Sequence, residues 1–192
     1  MKKTFLTLIF LGLTFILKAQ NSSAENSTSG IQIGTPGIWI HNENKLINSL
    51  ILRTELGFDI ATWGNISTWG GKDNGIIMNF VVTAEPRWYY NLDKRKAKSK
   101  RIDGNSGNFL SLKTSFYPNK LVISNIDNTY LKSYIMIFPT WGIKRNIGKY
   151  FNYEAGFGVG YRHYYAKEHE LASYQSNNKI VSNVHLRIGY RF

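Results

Sequence analysis

The stretch KIVSNVHLRIGYRF, residues 179–192, decides the fold. Successive side chains of a strand point to opposite faces, so alternate residues sort into two rows. One row holds Ile180, Ser182, Val184, Leu186, Ile188, Tyr190 and Phe192. The other holds Lys179, Val181, Asn183, His185, Arg187, Gly189 and Arg191. The split is clean, with a greasy face and an ionic face.

The same period of two runs upstream. From residue 151 to 165 the row Phe151, Tyr153, Ala155, Phe157, Val159, Tyr161, His163, Tyr165 opposes Asn152, Glu154, Gly156, Gly158, Gly160, Arg162, Tyr164. Met78, Phe80, Val82, Ala84, Pro86, Trp88 and Tyr90 oppose Asn79, Val81, Thr83, Glu85, Arg87, Tyr89 and Asn91. Leu50, Leu52, Thr54, Leu56, Phe58 and Ile60 oppose Ile51, Arg53, Glu55, Gly57 and Asp59. Two noisier segments are compatible, one with Ile135, Ile137, Pro139, Trp141 and Ile143 on one side and Lys144 on the other, one with Leu110, Leu112 and Phe116 opposite Lys113. A seventh strand is read over Ile31–His41; its faces are ambiguous, and Gly34, Pro36 and Gly37 lie inside it.

Aromatics gather at segment ends: Trp88 and Tyr90, Trp141, Tyr153, Tyr161 and Tyr165. Amphipathic rings settle at headgroup level, so two such girdles are what a membrane barrel requires. The segments run to about 11–16 residues, where strands of soluble proteins average about 5–6 and a tilted membrane strand needs about 9–11. The apolar row is therefore expected to face lipid. The other row then lines the interior with Arg53, Glu55, Asp59, Glu85, Arg87, Lys113, Lys144, Glu154, Arg162, His185 and Arg187. A barrel of about eight strands is only wide enough for side chains to fill, so these residues are expected to form a paired network rather than a channel. Gly156, Gly158 and Gly160 make room for them.

Composition agrees. The 192 residues carry 24 Lys+Arg against 12 Asp+Glu, 28 aromatics (5 Trp, 12 Tyr and 11 Phe) and no Cys. Disorder, a disulfide scaffold and thiol chemistry are excluded. Lys2 and Lys3, an uncharged run Phe5–Leu17, then Lys18-Ala19-Gln20 read as a secretory signal peptide over residues 1–19, followed by a polar segment over 20–30 and the barrel over 31–192. No further apolar run is long enough for a membrane helix.

The ending VHLRIGYRF, with Val184, Leu186, Ile188, Tyr190 and Phe192 at every second position, resembles the C-terminal assembly signal of Gram-negative outer-membrane β-barrels. The segments EPRWYYNL (85–92) and LRTELG (52–57) are similar to recurrent strand ends of the small OmpA-like and OmpX-like barrels. The resemblance implies an all-β, closed, antiparallel up-and-down transmembrane barrel in the bacterial outer membrane, inserted by the barrel-assembly machinery and surrounded by membrane lipid and lipopolysaccharide. A monomer without cofactor is expected. With Phe192 periplasmic, residues 42–47, 92–107 and 146–149 become periplasmic turns, and 62–75, 119–132 and 166–178 external loops. Eight strands are expected although seven are visible.

The candidate chemistry is modest. Lys94, Arg95, Lys96, Lys98, Lys100 and Arg101 form a basic turn expected to lie against an anionic leaflet; no nucleic-acid partner is expected. Gly156-Phe-Gly-Val-Gly160 fails the phosphate-loop fingerprint, because no helix follows. His163, Glu168, His169 and Glu170 match no established metal spacing. Some similar barrels are lipid A deacylases with a His-x-Ser pair, but here the residue two after His163 is Tyr165 and two after His185 is Arg187, so no catalytic residue is assigned. The expected role is structural or surface-interacting. The competing readings are a barrel-embedded lipid-modifying enzyme and a soluble periplasmic barrel of lipocalin type.

Overall fold

A computed structural model describes residues 24–35, 37–63, 75–124, 132–165 and 178–192. The expected signal segment and most of the two long loops that would carry Trp69, Glu168, His169 and Glu170 lie outside these residues. The strands are β1 (Ser27–Thr35), β2 (Gly37–Ile47), β3 (Leu50–Trp63), β4 (Gly75–Trp88), β5 (Asn108–Tyr117), β6 (Val122–Ser124), β7 (Tyr134–Ile147), β8 (Phe151–Tyr164) and β9 (Asn178–Arg191). A short helix, α1 (Leu92–Ala97), and a 3-10 turn at Asp103–Asn105 lie between β4 and β5.

All ladders are antiparallel. β1 through β5, then β7, β8 and β9, each pair with the next, and β9 pairs back onto β1, so eight strands close a barrel. The ninth strand, β6, carries on where β5 leaves off: it pairs with Ile77–Asn79 of β4, above the stretch that β5 covers. One end of the barrel carries the short connections at Asn48–Ser49 and Gly148–Tyr150, the α1 segment and Phe192. We call it the turn end, and its opposite the loop end.

Four expectations are corrected. The eighth strand comes from splitting Ile31–His41: Gly34 pairs with Gly37 and Ile33 with Ile38, so a tight hairpin sits inside what reads as one strand. The polar segment over 20–30 is not all outside the wall, because β1 starts at Ser27. Residues 42–47 are not a turn but the second half of β2, and the chain reverses at Asn48, where φ is 30°. The 92–107 connection is also more than a turn. Leu92 is fully buried with Ala24, Ile51, Tyr89 and Phe109, and Ile102 packs against them. This apolar cluster stops the turn end.

The interior is stratified. Beyond that cluster comes a layer of charged groups, and nearer the loop end a second apolar layer of Trp39, Val81, Tyr117, Met136 and Phe138. The outward rows are the greasy ones. Among the described residues, 29 large hydrophobic side chains are exposed and 11 hydrophobics are buried.

Candidate functional site

Every strand of the barrel wall sends a polar group into the middle layer. Period-two alternation aims Gln32 of β1, Glu43 of β2, Arg53 and Glu55 of β3, and Glu85 and Arg87 of β4 inward. Lys113 of β5, Lys144 of β7, Glu154 of β8, and His185 and Arg187 of β9 complete the layer. All are buried. The cations Arg53, Arg87, Lys113, Lys144 and Arg187 face the carboxylates of Glu43, Glu55, Glu85 and Glu154, five against four.

Arg53 is the hub of one half. Its Nη1 lies 2.9 Å from Glu43 Oε1 and 3.6 Å from Glu154, its Nε donates to Glu55, and its Nη2 donates to Gln32 Oε1 at 2.6 Å. Arg187 reaches the same Glu55 oxygen at 2.8 Å. Arg87 is the hub of the other half. It holds Glu154 across the lumen with two bonds of 2.7 and 2.8 Å, and Glu85 at 2.9 Å. Bidentate, charge-assisted pairs of this kind are the strong ones. Glu43 joins the halves, with Lys144 Nζ at 2.9 Å and Asn105 Nδ2 donating at 2.7 Å from the turn-end 3-10 segment.

The layer is sealed above and below by its own guanidinium planes. Arg87 stacks over Phe109 at 4.2 Å and Arg187 over Trp39 at 3.8 Å, linking the ions to the two apolar strata. Small residues face the largest rings. A Cβ on Gly156 would strike the His185 imidazole, and one on Gly57 would strike the Trp39 indole.

Of the interior residues marked in the sequence, Arg53, Glu55, Glu85, Arg87, Glu154, His185 and Arg187 are brought together here. Lys113 shares the layer without an acid at contact distance among the described residues. Asp59 and Arg162 are set apart toward the loop end. Asp59 accepts from Trp39 Nε1 at 2.9 Å and Tyr117 Oη at 2.6 Å, and Arg162 lies against Tyr164 Oη and the Tyr134 ring. Glu43, His41 and Gln32 escaped the sequence reading. The signal was present in the apolar row Ile38, Ile40 of β2, which places His41 and Glu43 on the opposite face.

The outer wall is the complement. Outward positions of the eight barrel strands carry a single formally charged side chain among those described, Arg145 of β7; His163 of β8 is outward as well. Val184, Leu186, Ile188, Tyr190 and Phe192 are all exposed along the last strand. Trp88, Tyr90, Trp141 and Tyr153 lie outward in the turn-end half, with Tyr150 stacked on Tyr190 beside them. Tyr161 and Tyr165 lie outward near the loop end, where Tyr165 meets Phe116. His163 Nδ1 is 2.7 Å from Asn178 Oδ1, and its ring is edge-on to Tyr165. Among the described residues no three His, Asp or Glu side chains gather as a metal site.

The basic run spans α1 and the turn after it. Lys94, Arg95 and Lys96 are helical, and Lys98, Lys100 and Arg101 follow. Arg101 is held by Asp103 at 2.6 Å and donates to the Gly148 carbonyl. No family model, curated protein or solved structure matches the chain.

Proposed function

We propose that the chain is an integral outer-membrane β-barrel with a structural or surface-interaction role, a filled interior and no catalytic site. The observation that carries this reading is the inverted placement of side chains: ions at the centre, and an outer wall of aliphatic and aromatic groups with one formal charge among the described residues. Soluble monomers rarely expose contiguous apolar patches beyond a few hundred Å², and a lipocalin-type barrel needs an apolar cup inside. Strands of 14 residues in β3, β4, β7, β8 and β9 exceed the roughly 9–11 that a tilted membrane strand requires. Aromatic rings toward both edges of the wall support the same reading.

The resemblance of the last strand to outer-membrane assembly signals supports export and insertion by the barrel-assembly machinery, with the turn end on the periplasmic side and lipid and lipopolysaccharide as neighbours. The protein is expected to act as a monomer. Membrane fractionation tests this. The protein should sediment with membranes, resist an alkaline wash and enter solution only with detergent; recovery in the detergent-free soluble fraction would overturn the reading. In planar bilayers the filled lumen should give no large stable openings. Lipid A hydrolysis abolished by His163→Ala would overturn the non-catalytic part alone.

A further inference from the structure

Between α1 and the outward face of β7 at the turn end lies a pocket of about 450 Å³. Lys94, Arg95, Lys98, Lys100 and Arg145 line it, and no acid does. The chain bends to bring these cations together. The N–H groups of Lys98 and Lys100 both donate to the Arg95 carbonyl, at 3.1 and 2.9 Å, across a reversal where Ser99 adopts φ 52°. Asp103, the acid after the run, is engaged by Arg101 outside the pocket.

Arg145 is the group that most asks for a partner. It is half-buried, and its guanidinium donates only to neutral acceptors: the Gly107 and Lys144 carbonyls, both at 2.7 Å, and Asn108 Oδ1 at 2.5 Å. A guanidinium taken partly out of water among other cations is stabilised by an anion that can accept several N–H bonds, and phosphate does so best. The pocket also opens beside an amphipathic shelf. Tyr90 Oη accepts from Trp141 Nε1 at 2.9 Å and Asn108 Nδ2 at 3.3 Å, Trp88 sits edge-on to Tyr90 at 6.0 Å, and Leu110 continues the wall. Cations for a head and an apolar strip for a tail occur side by side.

We propose that this pocket binds the phosphate diester of an anionic glycerophospholipid whose acyl chains lie along Trp141 and Leu110. The proposal rests on the membrane reading above, which puts a leaflet at this height, and it assigns Arg145 as the anchoring cation. The chemistry it reads is the phosphate, so a soluble phosphate ester is the competing source.

Native mass spectrometry of the detergent-purified protein, titrated with phosphatidylglycerol, phosphatidylcholine or glycerol 3-phosphate, tests it. One phosphatidylglycerol should be retained in preference to phosphatidylcholine, and Arg145→Gln or Lys98→Gln should weaken it by about fivefold per charge removed. Lys96→Gln, on the same helix but outside the pocket, should leave it unchanged. Lys98 is exposed, so its variant reports on binding even if Arg145→Gln disturbs folding. Equal retention of both lipids, or unchanged binding in Lys98→Gln and Arg145→Gln, would overturn the site. Glycerol 3-phosphate binding as tightly as the lipid would overturn the lipid as its source. A protein that needs detergent but holds no anionic lipid breaks this proposal and leaves the membrane reading standing.

Discussion

Residues an odd number of positions apart on the same strand live under opposite rules. Glu154 is fully buried and held by Arg87, whereas Phe157, three positions on, is half exposed on the outer wall and touches little but its neighbours in the sheet. The inner face is specified residue by residue, because each ion was taken out of water and depends on a particular partner. Under the proposed membrane reading the outer face is specified only in kind: it is to be apolar, but which apolar residue stands where matters little.

The sharpest break of that contrast is on the inside. Glu154→Ala removes the bidentate partner of Arg87 and should destabilise the barrel by about 3–5 kcal/mol, read as a lower denaturant midpoint in refolding into lipid or detergent. Replacing both members, as Arg87→Met with Glu154→Leu, should recover most of that loss; if the double variant is as unstable as the single, the argument about stranded charge fails. On the outside, Phe157→Arg should cost about 2–4 kcal/mol of insertion free energy into a bilayer, while Phe157→Leu should be near neutral. If both substitutions are equally tolerated, the wall does not face hydrocarbon. Between the two faces, Gly156→Ala drives a Cβ into the His185 ring and should cost about 1–3 kcal/mol, measurable by the temperature at which unboiled protein changes its gel migration.

The smallest effect belongs to the wetted turn end. The Arg101 hydrogen bond holds the Asp103 carboxyl below the usual carboxylate range, with help from Asn146. A folded pKa below the unfolded one, about 3.9 for Asp, adds stability above that pH, and the gain is lost as pH falls through the folded value. Asp103→Asn should therefore cost only about 0.2–1 kcal/mol at neutral pH, the range of an exposed pair, and nothing in strong acid. A variant whose deficit grows on acidification would contradict the sign.

The strand rows were legible because alternation is a local property. In β8 and β9, Glu154, His185 and Arg187 could be assigned to one face without knowing the fold. The β1–β2 hairpin was not legible for an equally local reason. Ile31 and Ile33 are odd-numbered and Ile38 and Ile40 even, since a tight reversal at Gly34–Gly37 shifts the phase of the alternation. Taken as one strand, the two phases cancel and the faces blur, and Glu43, the group that joins both halves of the ionic layer, is lost with them. Nor could alternation pair the ions. Arg87 and Glu154 sit 67 residues apart on β4 and β8, which never touch as strands, and only closure of the wall sets them opposite each other. The segment 92–102, α1 and the turn after it, hid for another reason: its six cations outweigh Leu92 and Ile102, whose burial depends on a cavity made by Ile51, Tyr89 and Phe109.

The β1–β9 ladder is unlike the other seven that close the wall. Those join strands that follow one another closely in the chain and can zip up as they are made. This one brings together the two extremes of the fold, with Arg191 and Glu25, 166 residues apart, clasped beside it at 3.1 Å. Contacts across such a span form late and slowly. Until they do, the molecule is an open ribbon with two bare margins, each able to recruit a strand from another chain.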